Sequence, residues 1–171
     1  NCSKRGSTYT DRFNSENGTI PHLSATTNAP SQMAVVGGHL FVAERSMRIV
    51  RRIDLDSSSG GGALTVVGNT TAGGGWPPPS CSELSPCSLL GTVFLSPRAL
   101  AAAIDPDTNH TLLFIGDSST GVVFRADLDA NEVVIVAGQM LHPGYIDGAP
   151  NVSELSAIRQ FAITQDTLYI A

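Results

Sequence analysis

The chain repeats itself, and that repeat restricts its fold more than any other feature. Residues 40 to 56, LFVAERSMRIVRRIDLD, align without a gap to residues 113 to 129, LFIGDSSTGVVFRADLD. Leu40/Leu113, Phe41/Phe114, Arg52/Arg125, Asp54/Asp127, Leu55/Leu128 and Asp56/Asp129 are identical; Glu44/Asp117, Val42/Ile115 and Ile49/Val122 are close in kind. Downstream, ALTVVGN (63 to 69) matches VVIVAGQ (133 to 139), and upstream PSQMAVVGGHLF matches PRALAAAIDPDTNHTLLF. A third copy opens in IRQFAITQDTLYIA, residues 158 to 171, where Phe161 takes the place of Met33 and Leu100. Self-similarity of this period marks a supersecondary unit that buries its apolar faces only by stacking on its neighbours.

Each full copy holds four apolar runs, which in the first are QMAVV, LFVAE, IVRRIDL and LTVVG. They are too short for helices, rich in Val, Ile, Leu and Phe, and separated by turn residues, so they read as strands. Four antiparallel strands joined by tight turns make one propeller blade. The expected fold is therefore all-β, with two complete blades and half of a third. An N-terminal arm or linker is expected over residues 1–28, and a partial propeller over 29–171. Within the latter, blade 1 covers about 30–69, an inter-blade loop 70–95, blade 2 about 97–139, a second loop 140–156, and the start of blade 3 157–171. The final run, TLYIA, aligns with LFVAE and LFIGD and stops one residue before the expected acid, which suggests a longer propeller.

The ordered pattern P-x-x-Φ-A, LF[VI]-x-[DE], [IV]-[IV]-x-R-x-D-L-D and V-[VA]-G, followed by GYIDG at 144 to 148, resembles the NHL-repeat family of β-propellers. The resemblance covers about residues 29 to 171 and resembles most the extracellular, glycosylated type. Three departures stand out: the first inter-blade loop carries GGGWPPPSCSELSPC in place of GYxDG, Glu44 stands where Asp is usual, and the repeats number fewer than in a closed propeller. The resemblance implies a fold rather than an activity, because propellers host many functions.

Compartment is marked by Asn. Five of the eight Asn residues, Asn1, Asn17, Asn69, Asn109 and Asn151, sit in N-x-[ST] sequons, all in turn-like surroundings. That number points to covalent N-glycans and to the secretory pathway of a eukaryote, hence an extracellular or cell-surface protein. Cys81 and Cys87 lie in a short loop that a disulfide can close in an oxidising compartment, which leaves Cys2 with a partner elsewhere or as a free thiol. No apolar run reaches the 18 residues of a membrane span. With a net charge of −5 and no basic cluster beyond IVRRID, nucleic acid is not an expected partner.

Candidate chemistry is sparse. There is no G-x-S-x-G, H-E-x-x-H or P-loop, so no catalytic residue, metal ligand or cofactor is assigned. Glu44 and Asp117 end the second strands; they either ring a channel able to hold a cation or accept hydrogen bonds from turn N–H groups, and the recurrence favours the second reading. His39 and His110 precede those strands with no evident carboxylate to orient them. Arg52 and Asp54, and Arg125 and Asp127, share a strand face and are placed to pair. In GYIDG, Tyr145 is expected to pack on the next blade, with a ligand-binding role as the alternative. The polyproline-like insert Trp76, Pro77, Pro78 and Pro79 is the other candidate interaction loop.

The function expected from these features is a non-catalytic scaffold, adhesion or protein-interaction module whose partners are other protein chains, identical subunits among them. Two alternatives stand beside it. One is a subunit of an extracellular filament completed by edge-strand pairing. The other is a fragment of a metal-dependent propeller lyase or hydrolase.

Overall fold

A computed structural model describes residues 20–21, 27–55, 62–69, 81–82, 85–150, 152–164 and 167–171. Their architecture is all-β. The first sheet contains β2 (Pro30–Val36), β3 (His39–Glu44), β4 (Ile49–Asp54) and β5 (Gly62–Val67), in that spatial order and antiparallel throughout. The second contains β6 (Pro97–Ile104), β7 (Thr111–Asp117), β8 (Val122–Asp127) and β9 (Glu132–Ala137) in the same order. A third pairs β10 (Phe161–Ile163) with β11 (Leu168–Ile170). The repeat thus corresponds to two four-stranded blades and the opening hairpin of a third. A two-residue strand, β1 (Ile20–Pro21), adds to the outer edge of β5 through Ile20↔Ala63 and Pro21↔Gly62.

Residue types explain the layering. Strands covered on one face alternate apolar and polar, whereas strands covered on both are apolar throughout. β3 ends in four consecutive buried residues, Phe41 to Glu44, and β8 begins with three, Val122 to Phe124. The first blade packs on the second through Phe41, Ala43, Val50, Val67, Leu100, Leu113 and Phe124, with Phe94 from the connecting loop set edge-on to Phe124 at 5.3 Å. A smaller cluster of Ala99, Ala101, Val123, Ile158 and Phe161 joins the second blade to the third. Leu100 and Phe161 each insert into the preceding blade, while the equivalent Met33 is 61% exposed beside the equally exposed Val35.

The recurrent glycine of V-[VA]-G has a steric cause. Gly68 and Gly138 have φ of +100° and +86°, and a Cβ there would meet the carbonyl oxygens of Arg48 and Gly121 at 2.5 and 2.1 Å. Those carbonyls belong to the turn just before β4 and β8, so the outer strand can leave each blade only past a residue without a side chain.

The innermost strands β2, β6 and β10 gather around one side chain. The edge of an innermost strand has no strand beyond it, and its backbone groups require partners. Gln32 on β2 supplies them: Oε1 accepts from the N–H of Leu100 at 2.9 Å and of Phe161 at 3.0 Å, and Nε2 donates to the Phe161 carbonyl at 2.8 Å. One amide therefore ties three blades together.

Candidate functional site

The acids that close the second strands are structural. Asp117 is buried; its Oδ2 accepts from the N–H groups of Leu95 and Ser96, and its Oδ1 from those of Ser119 and Thr120. Four backbone donors on one carboxylate fix the turn and the incoming loop together. Glu44, one methylene longer, accepts from the N–H of Asn28 at 3.1 Å and meets Nε of Arg51 at 2.9 Å, both side chains being buried. The residue equivalent to Arg51 in the second blade is Phe124. Glu with Arg in one blade and Asp with Phe in the other fill the same place.

His39 and His110 do have oriented carboxylates, contrary to the expectation from sequence. His39 Nδ1 lies 2.8 Å from Asp54 Oδ1, and His110 Nδ1 lies 2.9 Å from Asp127 Oδ2. The pairing was hidden because it crosses from one strand to the next and joins residues 15 and 17 positions apart. Arg52 Nε also reaches Asp54, at 3.1 Å, which is the expected same-face pair. In the second blade Asp127 Oδ1 accepts from the N–H groups of Asp129 and Ala130, while Asp129 Oδ2 accepts from that of Thr111. The D-L-D motif therefore closes a turn. The bond to Asp127 holds the His110 pKa above its ordinary value. Partial burial of Asp127 acts to raise its own pKa but is outweighed by His110 and the N–H groups of Ala130 and Asp129, so the net direction is down. Among the described residues no three His, Cys, Asp or Glu side chains converge as a metal donor set.

The loops carry the remaining candidates. Cys81 and Cys87 form a disulfide with 5.1 Å between Cα atoms. Its backbone docks on the outer strand of the second blade: Cys87 and Val133 exchange two N–H···O bonds, of 2.9 and 2.8 Å, and Ile135 N–H donates to the Cys81 carbonyl at 3.0 Å. Asn69 is half-buried at the end of β5, and Asn109 is exposed in the β6–β7 turn with φ of +61°. Asn1, Asn17, Asn151, Cys2, Trp76, Pro77, Pro78 and Pro79 lie outside the described residues.

Tyr145 departs from the expected packing on the next blade: it is 90% exposed, and its neighbours Ile146 and Val152 are exposed too. The contact with the blades is made instead by Leu155 and Ile158. The loop backbone is fixed nonetheless, with Ile146 and Glu154 bridged in both directions, at 3.3 and 2.8 Å, and the Gln139 amide donating to the Val152 carbonyl at 3.1 Å.

Sequence reasoning missed one further place. Ala29, Pro30, Ser31, Arg45, Arg98 and Arg159 line an open cleft of about 320 Å³ at the starts of the innermost strands. Arg98 and Arg159 occupy the same position of their repeats, and in the first copy that position is Ser31. The repeat register was the available signal, since along the chain the three arginines are far apart.

Among the described residues no helix is long and apolar enough to cross a membrane. No family model and no curated protein matches the chain. Among solved structures it is similar to a protein of unknown function from Bacteroides thetaiotaomicron, at 18% identity and a TM-score of 0.58, over 78% of this chain and 29% of that one. It is also similar to an auxiliary nutrient binding protein from Bacteroides ovatus, at 15% identity and a TM-score of 0.62, over 82% of this chain and 34% of that one. A third likeness, to a Bacteroides thetaiotaomicron protein provisionally named a phosphatase, has 13% identity and a TM-score of 0.62, over 81% and 31% of the two chains. The chain spans about a third of the length of these proteins. At such identities the likeness concerns architecture alone, and the architecture shared is β-rich and propeller-like.

Proposed function

We propose that this chain is a segment of a secreted, N-glycosylated propeller of the NHL type that serves as a non-catalytic interaction module, with the loop 140–156 as its contact surface. The observation that carries the reading is Tyr145, an aromatic side chain 90% exposed on a loop whose backbone is held at both ends. Rigid, amphipathic aromatics presented this way lose little entropy on binding and are favoured at interfaces. Ile146 and Val152 extend the apolar surface beside it. Ordered recurrence of the motifs supports the NHL reading. Five sequons and the Cys81–Cys87 disulfide support a secretory origin, with the sequons favouring a eukaryotic one. The Bacteroides neighbours bear on the fold and not on source.

A filament built by edge-strand pairing between chains is the second reading. The outer edges of the first two blades are already occupied, by β1 and by the disulfide loop.

Sedimentation of the glycosylated chain over a range of concentrations, with chemical cross-linking in the secreted fraction that contains it, separates the readings. If the loop is the contact, Tyr145→Ser weakens the association at least about tenfold while Tyr169→Ser leaves it unchanged. Edge pairing gives the reverse. Association indifferent to Tyr145→Ser removes the loop from the account.

A further inference from the structure

The arginine-lined cleft has a charge arrangement that packing does not explain. Three of the chain's ten basic residues line it although the net charge is −5, and no Asp or Glu is among its described lining residues. Among the described residues, none of Arg45, Arg98 and Arg159 forms an ion pair. The nearby acids are committed elsewhere. Glu44, adjacent to Arg45, meets Arg51 and the Asn28 N–H, and Asp117 holds four backbone N–H groups. Three arginines lining one cleft, with no carboxylate among its described lining residues, make it a favourable place for an anion.

The cleft is also built on rigid parts. Ser31 lines the cleft, and the next residue in the chain, Gln32, joins β2, β6 and β10 through its amide. The Ser31 hydroxyl is shared between the carbonyls of Ala43 and Pro97, at 3.2 and 3.3 Å, which clamps the first two blades at this level. Backbone bonds anchor two of the arginines: Arg45 N–H donates to the Ala29 carbonyl at 3.2 Å and Arg159 N–H to that of Ala171 at 2.7 Å. Guanidinium groups present planar, paired donors that match the oxygens of phosphate and sulfate. A monocarboxylate carries too little charge to balance three of them. A volume of about 320 Å³ lies at the small end of ligand sites and is enough for a phosphate or sulfate group and a small ester.

We propose that this cleft binds a multiply charged oxyanion, a phosphate or sulfate group, either free or as the ester of a small molecule. Arg98 and Arg159, equivalent in their repeats, form one side of the site, and Arg45 takes the place of the arginine that the first copy lacks. The site shares no residue with the Tyr145 loop, so it stands or falls independently of the proposed contact surface.

Calorimetric titration of the 171-residue chain with inorganic phosphate, sulfate, glucose 6-phosphate and acetate at low ionic strength tests the proposal. Phosphate or sulfate is expected to bind saturably with one site per chain, at least about tenfold more tightly than acetate. Arg98→Gln and Arg159→Gln are each expected to weaken binding about tenfold, with Arg98→Lys losing less than Arg98→Gln. Tighter binding of glucose 6-phosphate than of phosphate assigns the site to an ester, and equal binding to the free anion. Unfolding midpoints of the variants identify any that is not folded, and the Lys variant then carries the comparison. No saturable binding, acetate binding as tightly as phosphate, or binding unaffected by both Gln variants overturns the proposal.

Discussion

At the scale of single residues, Arg51 and Arg52 are neighbours in sequence with opposite fates. Arg51 is buried against Glu44, whereas Arg52 reaches Asp54 from a partly exposed position. Removing one member of a buried pair strands the other charge and costs about 3–5 kcal/mol, while an exposed pair contributes about 0–1 kcal/mol. Arg51→Ala is therefore expected to lower the unfolding free energy by several kcal/mol, and Arg52→Ala by about 1 kcal/mol or less, both read from urea titrations. His110 and Asp127 give a pH signature. The folded pKa of His110 lies above its ordinary 6.5, so its contribution is complete below that pH and is lost as pH rises through the folded value. That of Asp127 lies below 3.8, so its contribution is present above that pH and is lost on acidification through the folded value. The pair stabilises most between pH 3.8 and 6.5. Relative to wild type, His110→Gln is expected to flatten the fall in urea midpoint above pH 6.5; parallel profiles would show that the pair contributes nothing. The Arg52–Asp54 pairing is legible in sequence because both residues lie on one strand face. The His–Asp pairs are not, since cross-strand register sets them.

At the scale of elements, the eight strands of the two blades follow from repeated apolar runs and the turn residues between them. Packing between blades does not. Gly116 on β7 occupies the place of Ala43 on β3, yet a Cβ at Gly116 would lie 2.6 Å from Ile158 Cγ2, 2.7 Å from Phe161 Cζ and 2.9 Å from Ala99 Cβ. Only a residue without a side chain at this position leaves room for Ile158 and Phe161 against the second blade. Gly116→Ala is expected to destabilise by about 1–3 kcal/mol through overpacking, and Phe161→Leu in the same chain to recover part of the loss. Equal stability of Gly116→Ala and wild type would mean that the third hairpin is not held against the second blade. β1 was equally hidden, because two residues carry no periodicity and an N-terminal arm offers no repeat to align.

At the scale of the whole molecule, three copies of one unit make different use of equivalent places. Met33, Leu100 and Phe161 share a position; Leu100 and Phe161 are buried against the preceding blade, whereas Met33 is exposed among the described residues. Ser31, Arg98 and Arg159 share another, and the register brings the arginines to one cleft. Gln32, next to Ser31 in the chain, holds the innermost strands together. The fold was legible because repetition multiplies weak strand signals; the cleft was not, because its residues come from separate copies and meet only after stacking. Stacking of blades about Gln32 is the central claim, and site-resolved amide hydrogen exchange tests it most directly. The N–H groups of Leu100 and Phe161 point at the Gln32 side chain, so both are expected to be protected in the wild type and to exchange at least about tenfold faster in Gln32→Ala, with strand-paired amides of β8 unchanged. Rapid exchange of both amides in the wild type, or protection untouched by Gln32→Ala, would contradict the stacking.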